Sequence, residues 1–276
     1  MNGVICAPFH LVEVIGAEKR SVAHRRNLQH FSTIPHPNHH PQTHPSFATM
    51  TRDEPQGMWI IGYGSLIFKP PPHTSRRITG VIQGYIRRFW QSSNDHRGTR
   101  EAPGRVATLI SLEQLVDERF RYHDLLAYEM RREEPCLDID DLHEGDLKVC
   151  GCAYFVEAQY VEAVRAYLDL REQNGYSLHR IKFYLDRDQK EKGAGDVPGV
   201  AEDEGGLYIE SSVYIGGLEL ESFVGPERIE DTADVIRHSI GPSGKNIEYL
   251  VKLVESVREL GHEDRYLEDL LRIVEQ

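Results

Sequence analysis

A glutamate on the apolar side of a helix is the residue of this chain whose spacing best suits it to move a proton. The segment 157–173, EAQYVEAVRAYLDLREQ, predicts a helix that stops at Asn174-Gly175. At about 100° per residue, Val161, Val164 and Leu168 share one stripe, and Glu172, four residues beyond Leu168, extends it. A carboxyl group facing the core must be paired, hydrogen-bonded or functional. Burial raises its pKa above the usual value of about 4.3. A raised value suits a proton shuttle at neutral pH. The same position lies one turn from the helix end, where the stripe can rotate to solvent and where Arg171 or Arg165 can pair with a nearby acid. Glu162, nearly opposite on the wheel, reads as solvated.

The second feature is the turn Gly62-Tyr63-Gly64-Ser65, which ends the apolar run opening at Met58. A dinucleotide fingerprint needs a third glycine where Ile67 stands, and a P-loop needs Gly-Lys-Ser/Thr; both are missing. Lys69-Pro70-Pro71-Pro72 stops a helix from following at once, which removes the usual pyrophosphate cradle. What is left is a tight turn whose backbone N–H groups can face a small anion or a developing oxyanion. A third block, residues 84–109, gathers Arg87, Arg88, Asp95, His96, Arg97, Arg100, Glu101 and Arg105 around Phe89-Trp90. Arginine forks suit carboxylate recognition. Asp95-His96 suggests a catalytic pair, but adjacent residues seldom face each other and no G-x-S-x-G elbow is present. Asp95, His96 and Arg97 read instead as a hydrogen-bonded loop network that shapes a pocket wall.

These groups need elements to hold them. MWII, RVATLISL (105–112), VCGCAYFV (149–156), RIKFYL (180–185) and GLYIESSVYIGG (206–217) predict strands. Cys150 and Cys152 then face one side, in a structural role. Residues 186–206 form a polar, glycine-rich loop with no helix or strand signal. Late in the chain, 226–239 predicts a helix opening at Pro226. KNIEYLVKLVESVREL predicts another, with Asn246 as N-cap and Ile247, Leu250, Val251, Val254 and Val257 on one face. DRYLEDLLRIVE closes the chain. Early strands, late helices and only one helix between strands favour an α+β fold over a doubly wound parallel sheet.

The 276 residues carry a formal charge of −12, which argues against a general nucleic-acid binder. No apolar run reaches the roughly 20 residues of a membrane span. Four cysteines are too few to staple a fold of this size, which points to a reducing compartment. Residues 1–57 read as a disordered N-terminal extension: STIPHPNHHPQTHP has four prolines and no hydrophobic period. That segment also fits a targeting peptide, or a start at Met50 or Met58. Its seven histidines lack the partners of a metal site. Residues 113–148, with twelve acids against five bases, read as a solvated acidic insertion with a short helix around HDLLAYEMRR.

Taken together, WIIGYGSLIFKP, GYIRRFWQSSNDHRGT, PGRVATL, AYLDLREQNGY, VYIGG and GPSGKNIEYLVKL resemble, in order, the ChaC-type glutathione-specific γ-glutamylcyclotransferases. The likeness runs from residue 59 to about 260, making 58–276 the catalytic domain. Two segments depart from the family pattern, the insertion at 113–148 and the long loop at 186–206. The resemblance implies a mixed β-barrel with flanking helices. It also implies cyclisation of the γ-glutamyl group of glutathione, releasing 5-oxoproline and cysteinylglycine. No metal, cofactor, nucleic acid or membrane is implied, and the setting is cytoplasmic, with a nuclear share left open. The family's substrate loop maps onto Ile60, Ile61, Gly62, Tyr63, Gly64 and Ser65, its catalytic glutamate onto Glu172, and a pocket tyrosine onto Tyr214. Two alternatives remain at this stage: a cyclotransferase for other γ-glutamyl amino acids or amines, and a non-catalytic glutathione-binding module.

Overall fold

Runs of apolar residues build several of the strands, which are covered on both faces, and their inward faces converge on one barrel. The computed structural model describes residues 57–115, 117, 120, 125–129, 142–172, 175–187 and 197–276. The strands are β1 (Met58–Gly62), β2 (Thr74–Gln83), β3 (Tyr85–Ser93), β4 (Gly104–Ser111), β5 (Lys148–Val156), β6 (Tyr176–Leu185), β7 (Val200–Asp203) and β8 (Gly206–Gly216). Two short ones follow, β9 (Ile240–Gly241) and β10 (Gly244–Lys245). The order β1-β5-β2-β6-β8 closes through a parallel β1–β8 pairing at Ile60 and Ser212, while the other pairings are antiparallel. This is a five-stranded closed barrel in an α+β fold, with β7 hydrogen-bonded to β8 beyond it.

Every second residue points inward. Trp59 and Ile61, Ile78 and Ile82, Val149 and Ala153, Phe183, and Ile209, Val213 and Ile215 fill the barrel. Closure at β2–β6 demands Gly80, where a Cβ would stand 2.0 Å from the Tyr184 carbonyl oxygen. The outward set carries the helices. Ile60, Val156, Leu66 and Tyr214 receive Val164 and Leu168 of helix α3 (Val161–Arg171), which follows the short helices α1 (Leu112–Leu115) and α2 (Leu125–Tyr128). Cys150, Cys152 and Tyr154 of β5 face α4 (Ile229–His238), α5 (Asn246–Glu259) and α6 (Arg265–Val274), joined by Phe89 of β3 and Ala107 of β4. The β3–β4 hairpin forms its own two-stranded sheet and packs Ile86, Trp90 and Ile110 against Leu115, Phe120 and Leu147.

Several expectations shift in detail. Helix α3 begins at Val161, after a 3-10 turn over Ala158–Tyr160, and α4 begins at Ile229 rather than Pro226. Asn246 is the first residue of α5, not its cap. Its buried amide accepts from Arg105 N (2.6 Å) and donates to Arg105 O (2.8 Å), extending the hydrogen bonding of β4. The buried face of α5 also includes Tyr249 and Leu253, while Ile247 and Val251 are only partly covered. Strands β2 and β3 lie where no strand was expected, and β7 lies inside the expected 186–206 loop. The acidic insertion is not wholly solvated. Phe120 is buried beside Trp90, and Glu129 pairs with the buried Arg88 at 2.8 Å, because the hairpin leaves an apolar flank and an arginine to cover. Residues 116, 118–119, 121–124 and 130–141 of that insertion, and residues 1–56, lie outside the described residues.

Candidate active site

The β1 strand ends at Gly62, and the chain turns back through a short 3-10 helix, Ser65–Ile67. Two hydrogen bonds fold this turn, Ile67 N to Gly64 O (3.0 Å) and Lys69 N to Ser65 O (2.9 Å). It is pinned from beneath by Arg87, which is 1% exposed and donates to Tyr63 O (2.7 Å) and Cys150 O (3.1 Å). The same guanidinium donates twice to Asp264 Oδ2, at 2.7 and 3.0 Å. From the side, Tyr154 donates its hydroxyl to Ile67 O at 3.0 Å. Gly64 packs under Tyr249, whose hydroxyl oxygen would stand 3.1 Å from a Cβ placed there.

Glu172 caps α3, its N–H bonded to Leu168 O at 2.8 Å. The stripe predicted from spacing is present: Val164 and Leu168 are buried, and the Glu172 side chain is 17% exposed. Burial raises its pKa, Asp95 adds to the rise, and Arg171 and His96 oppose it. Arg171 Nε lies 3.4 Å from Glu172 Oε1. Around this carboxyl stand four phenols. Tyr63 donates to Tyr214 O (2.9 Å), Tyr214 to Asp169 Oδ1 (2.6 Å) and Tyr176 to Ala107 O (3.3 Å), while Tyr249 accepts from Ala107 N (3.4 Å). Burial is the largest cause holding each above the usual tyrosine range, with Tyr249 pushed up to about 12. All four therefore stay protonated at neutral pH.

The turn and the carboxyl share one cavity of about 310 Å³, lined by Tyr63, Gly64, Ser65, Glu172, Tyr176 and Tyr214 among others. Ile61 reaches its wall too, whereas Ile60 points to the other face of β1, into the cluster under α3. Gly62 gives the chain room to turn: a Cβ there would lie 2.9 Å from Leu66 Cβ. The opposite wall is the Asp95-His96-Arg97 loop. His96 Nδ1 is 3.3 Å from Ser243 Oγ, Ser243 N donates to His96 O (2.9 Å), and Arg97 donates to Lys245 O (3.0 Å).

Three arginines of the 84–109 block lie away from the cavity and are committed to the protein's own acids. Arg87 pairs with Asp264, Arg88 with Glu129 and Arg105, through two bonds, with Glu227. Their forks recognise the protein's own carboxylates. The pocket cations are instead Lys69, Arg97 and Arg171. Tyr176, Tyr249 and Arg171 are pocket residues that spacing alone missed. Tyr249 lies four residues before Leu253 on the buried face of α5, which marks it as core but not as pocket. Among the described residues, no group of His, Cys, Asp and Glu is placed to hold a metal ion.

A closed barrel whose first turn faces a helix-capping glutamate across a tyrosine-lined cavity defines a ChaC-type fold: residues 58–276 match the family model described as ChaC-like protein, and the chain belongs to that family. The glutathione-specific gamma-glutamylcyclotransferase of Saccharomyces cerevisiae is 41% identical over 238 residues, covering 82% of this chain and 98% of that one. The protein of the same name from Schizosaccharomyces pombe is 35% identical over 215 residues, covering 76% and 88%. The crystal structure of the yeast gamma-glutamyl cyclotransferase specific to glutathione superposes with a TM-score of 0.70 at 40% identity, covering 80% of this chain and 96% of that one.

Proposed function

We propose that this protein cleaves glutathione by intramolecular cyclisation, giving 5-oxoproline and cysteinylglycine, with residues 58–276 as the catalytic domain. The observation that carries this reading is the largely covered Glu172 carboxyl sharing one cavity with the 62–65 turn, supported by the relatives' shared name. The cavity offers cations (Lys69, Arg97) and carboxylates (Asp95, Glu172) together, which suits a zwitterionic tripeptide.

Glutathione binds with its γ-glutamyl chain folded on the turn. The ionised Glu172 takes a proton from the substrate's α-ammonium group. The freed amine attacks the γ-carbonyl carbon and closes a five-membered ring, and backbone N–H groups of the turn hold the resulting oxyanion. The bond from that carbon to the cysteinyl nitrogen then breaks as Glu172 returns its proton to the departing nitrogen. The second proton shed by the ring nitrogen also ends on that amine, so that a neutral lactam and an ammonium leave and Glu172 is again a carboxylate. Amine and carbonyl already belong to one molecule, so the turn contributes by selecting the folded, near-attack conformer rather than by bringing two reactants together. A general base adds about 10²–10⁴-fold. Every atom of both products comes from glutathione, so the reaction is an intramolecular acyl transfer, of the lyase class, with no co-substrate.

A cytoplasmic setting fits the unpaired, buried Cys150 and Cys152. No helix among the described residues is long and apolar enough to cross a membrane. The test is incubation of the purified full chain with reduced glutathione. Equimolar 5-oxoproline and cysteinylglycine are expected. Glutathione bound but unchanged would make the protein a binding module, and release from γ-glutamyl-alanine alone would move it to a different substrate.

A further inference from the structure

Arg171 stands at the joint between the two halves of the cavity. Nη2 donates to Ser65 Oγ at 2.7 Å, Nη1 donates to Lys69 O at 3.1 Å, and Nε lies 3.4 Å from Glu172 Oε1. Ser65 and Lys69 belong to the turn after β1, whereas Glu172 caps α3, so one planar group spans both. A guanidinium has five N–H donors in a rigid fork. With three of its nitrogens turned to protein atoms and a side chain only 13% exposed, Arg171 is built as a strut between elements rather than as a ligand for substrate. Lysine cannot reproduce this, because its single ammonium lacks the fork geometry.

We propose that Arg171 is a positioning residue: it holds the 62–65 turn and the Glu172 carboxylate at one separation, so that a substrate folded on the turn presents its amine to the base. This rests on the cyclisation reading above. The same cation also helps Glu172 to stay ionised against the pull of burial. The other charged or titratable groups acting on Glu172 or lining the cavity with it are Lys69 of the turn, Asp95, His96 and Arg97 of the opposite wall, Tyr167 of α3 and the phenols of Tyr63, Tyr176, Tyr214 and Tyr249. None of them bridges Glu172 to the turn.

The test compares wild type, Arg171→Gln and Arg171→Lys in the full chain, by 5-oxoproline formation across pH. Arg171→Gln removes both charge and fork. Its kcat should fall by about 10-fold to 10²-fold, the range expected for a misplaced catalytic group, with KM little changed. The acid limb of its kcat/KM profile should move up by about one pH unit, because the carboxylate has lost its neighbouring cation. Arg171→Lys keeps the charge and loses the fork, so kcat should fall while the acid limb stays in place. A raised KM with kcat retained would make Arg171 a substrate ligand and overturn the proposal. Wild-type kcat and an unmoved limb in both variants would overturn it as well, leaving the cyclisation reading intact. If Arg171→Gln fails to fold, the Lys variant decides by its kcat. An inactive wild type would bring down the cyclisation reading, and this inference with it.

Discussion

Replacing Arg87 by alanine should strip the support from under the turn that follows β1. In the folded chain this guanidinium is 1% exposed and joins Asp264, Tyr63 O and Cys150 O, linking the turn after β1 to β5 and to the start of α6. Asp264 also caps α6 by accepting from Leu267 N at 3.0 Å. Removing one partner of a buried ion pair costs about 3–5 kcal/mol, because the other charge is left uncompensated. Asp264 is 16% exposed and keeps its helix-cap contact, which places the loss near the lower end, at about 3 kcal/mol. Domains of this class are stable by about 5–15 kcal/mol, so the loss is a large share of the total. It corresponds to a fall in melting temperature of about 6–12 °C. Thermal unfolding followed by circular dichroism reads it directly. Arg228→Ala is the control, since that arginine and its partner Glu230 are exposed and such pairs are worth about 0–1 kcal/mol. If Arg87→Ala melts within about 2 °C of wild type, the turn is not held by this arginine and the reasoning fails.

Glu172→Gln should stabilise the fold at neutral pH. A carboxyl whose pKa is raised by burial binds its proton more tightly folded than unfolded, so wild-type stability falls as pH rises through that interval. The melting-temperature gap between variant and wild type should therefore be present at pH 7.5 and shrink below the ordinary carboxylate range; a gap that does not vary with pH would contradict the burial of Glu172. Asn246→Ala leaves Arg105 N and O without partners in a buried place, at about 1–3 kcal/mol for each, and should show as a lowered denaturant midpoint. Asn246→Asp, which keeps the acceptor and loses the donor, should fall between the two; equal stability of all three would mean that the pairing with β4 is worth nothing.

The placement of the candidate site was more legible in the sequence than the scaffold was. Glu172 was readable because a period of 3.6 carries from Val164 and Leu168 straight to it, and the structure keeps that register to the cap. The glycine turn was readable because Gly62 and Gly64 follow an apolar strand. β1, β5 and β8 declared themselves by apolar runs. β2 and β3 did not. In β3, Arg87 and Arg88 occupy buried positions, so the pattern of burial departs from the pattern of residue type. What makes those arginines core residues is a distant carboxylate for each, Asp264 for Arg87, 177 positions away, and Glu129 for Arg88, 41 positions away, partners that no local window contains. Asn246 misled for the same reason: it has the residue type of a cap, but its amide is claimed by Arg105, 141 positions away. The pocket tyrosines converge from four separate elements, and only the closed barrel brings them to one carboxyl.

The most direct test of the mechanism is the rate of 5-oxoproline formation by Glu172→Gln at saturating reduced glutathione, with substrate binding followed in parallel by calorimetry. Loss of at least about 10²-fold in rate with binding retained is the expected result, as for removal of a general base. Turnover within about threefold of wild type, well short of that loss, would contradict the assignment of the proton transfer to this carboxyl.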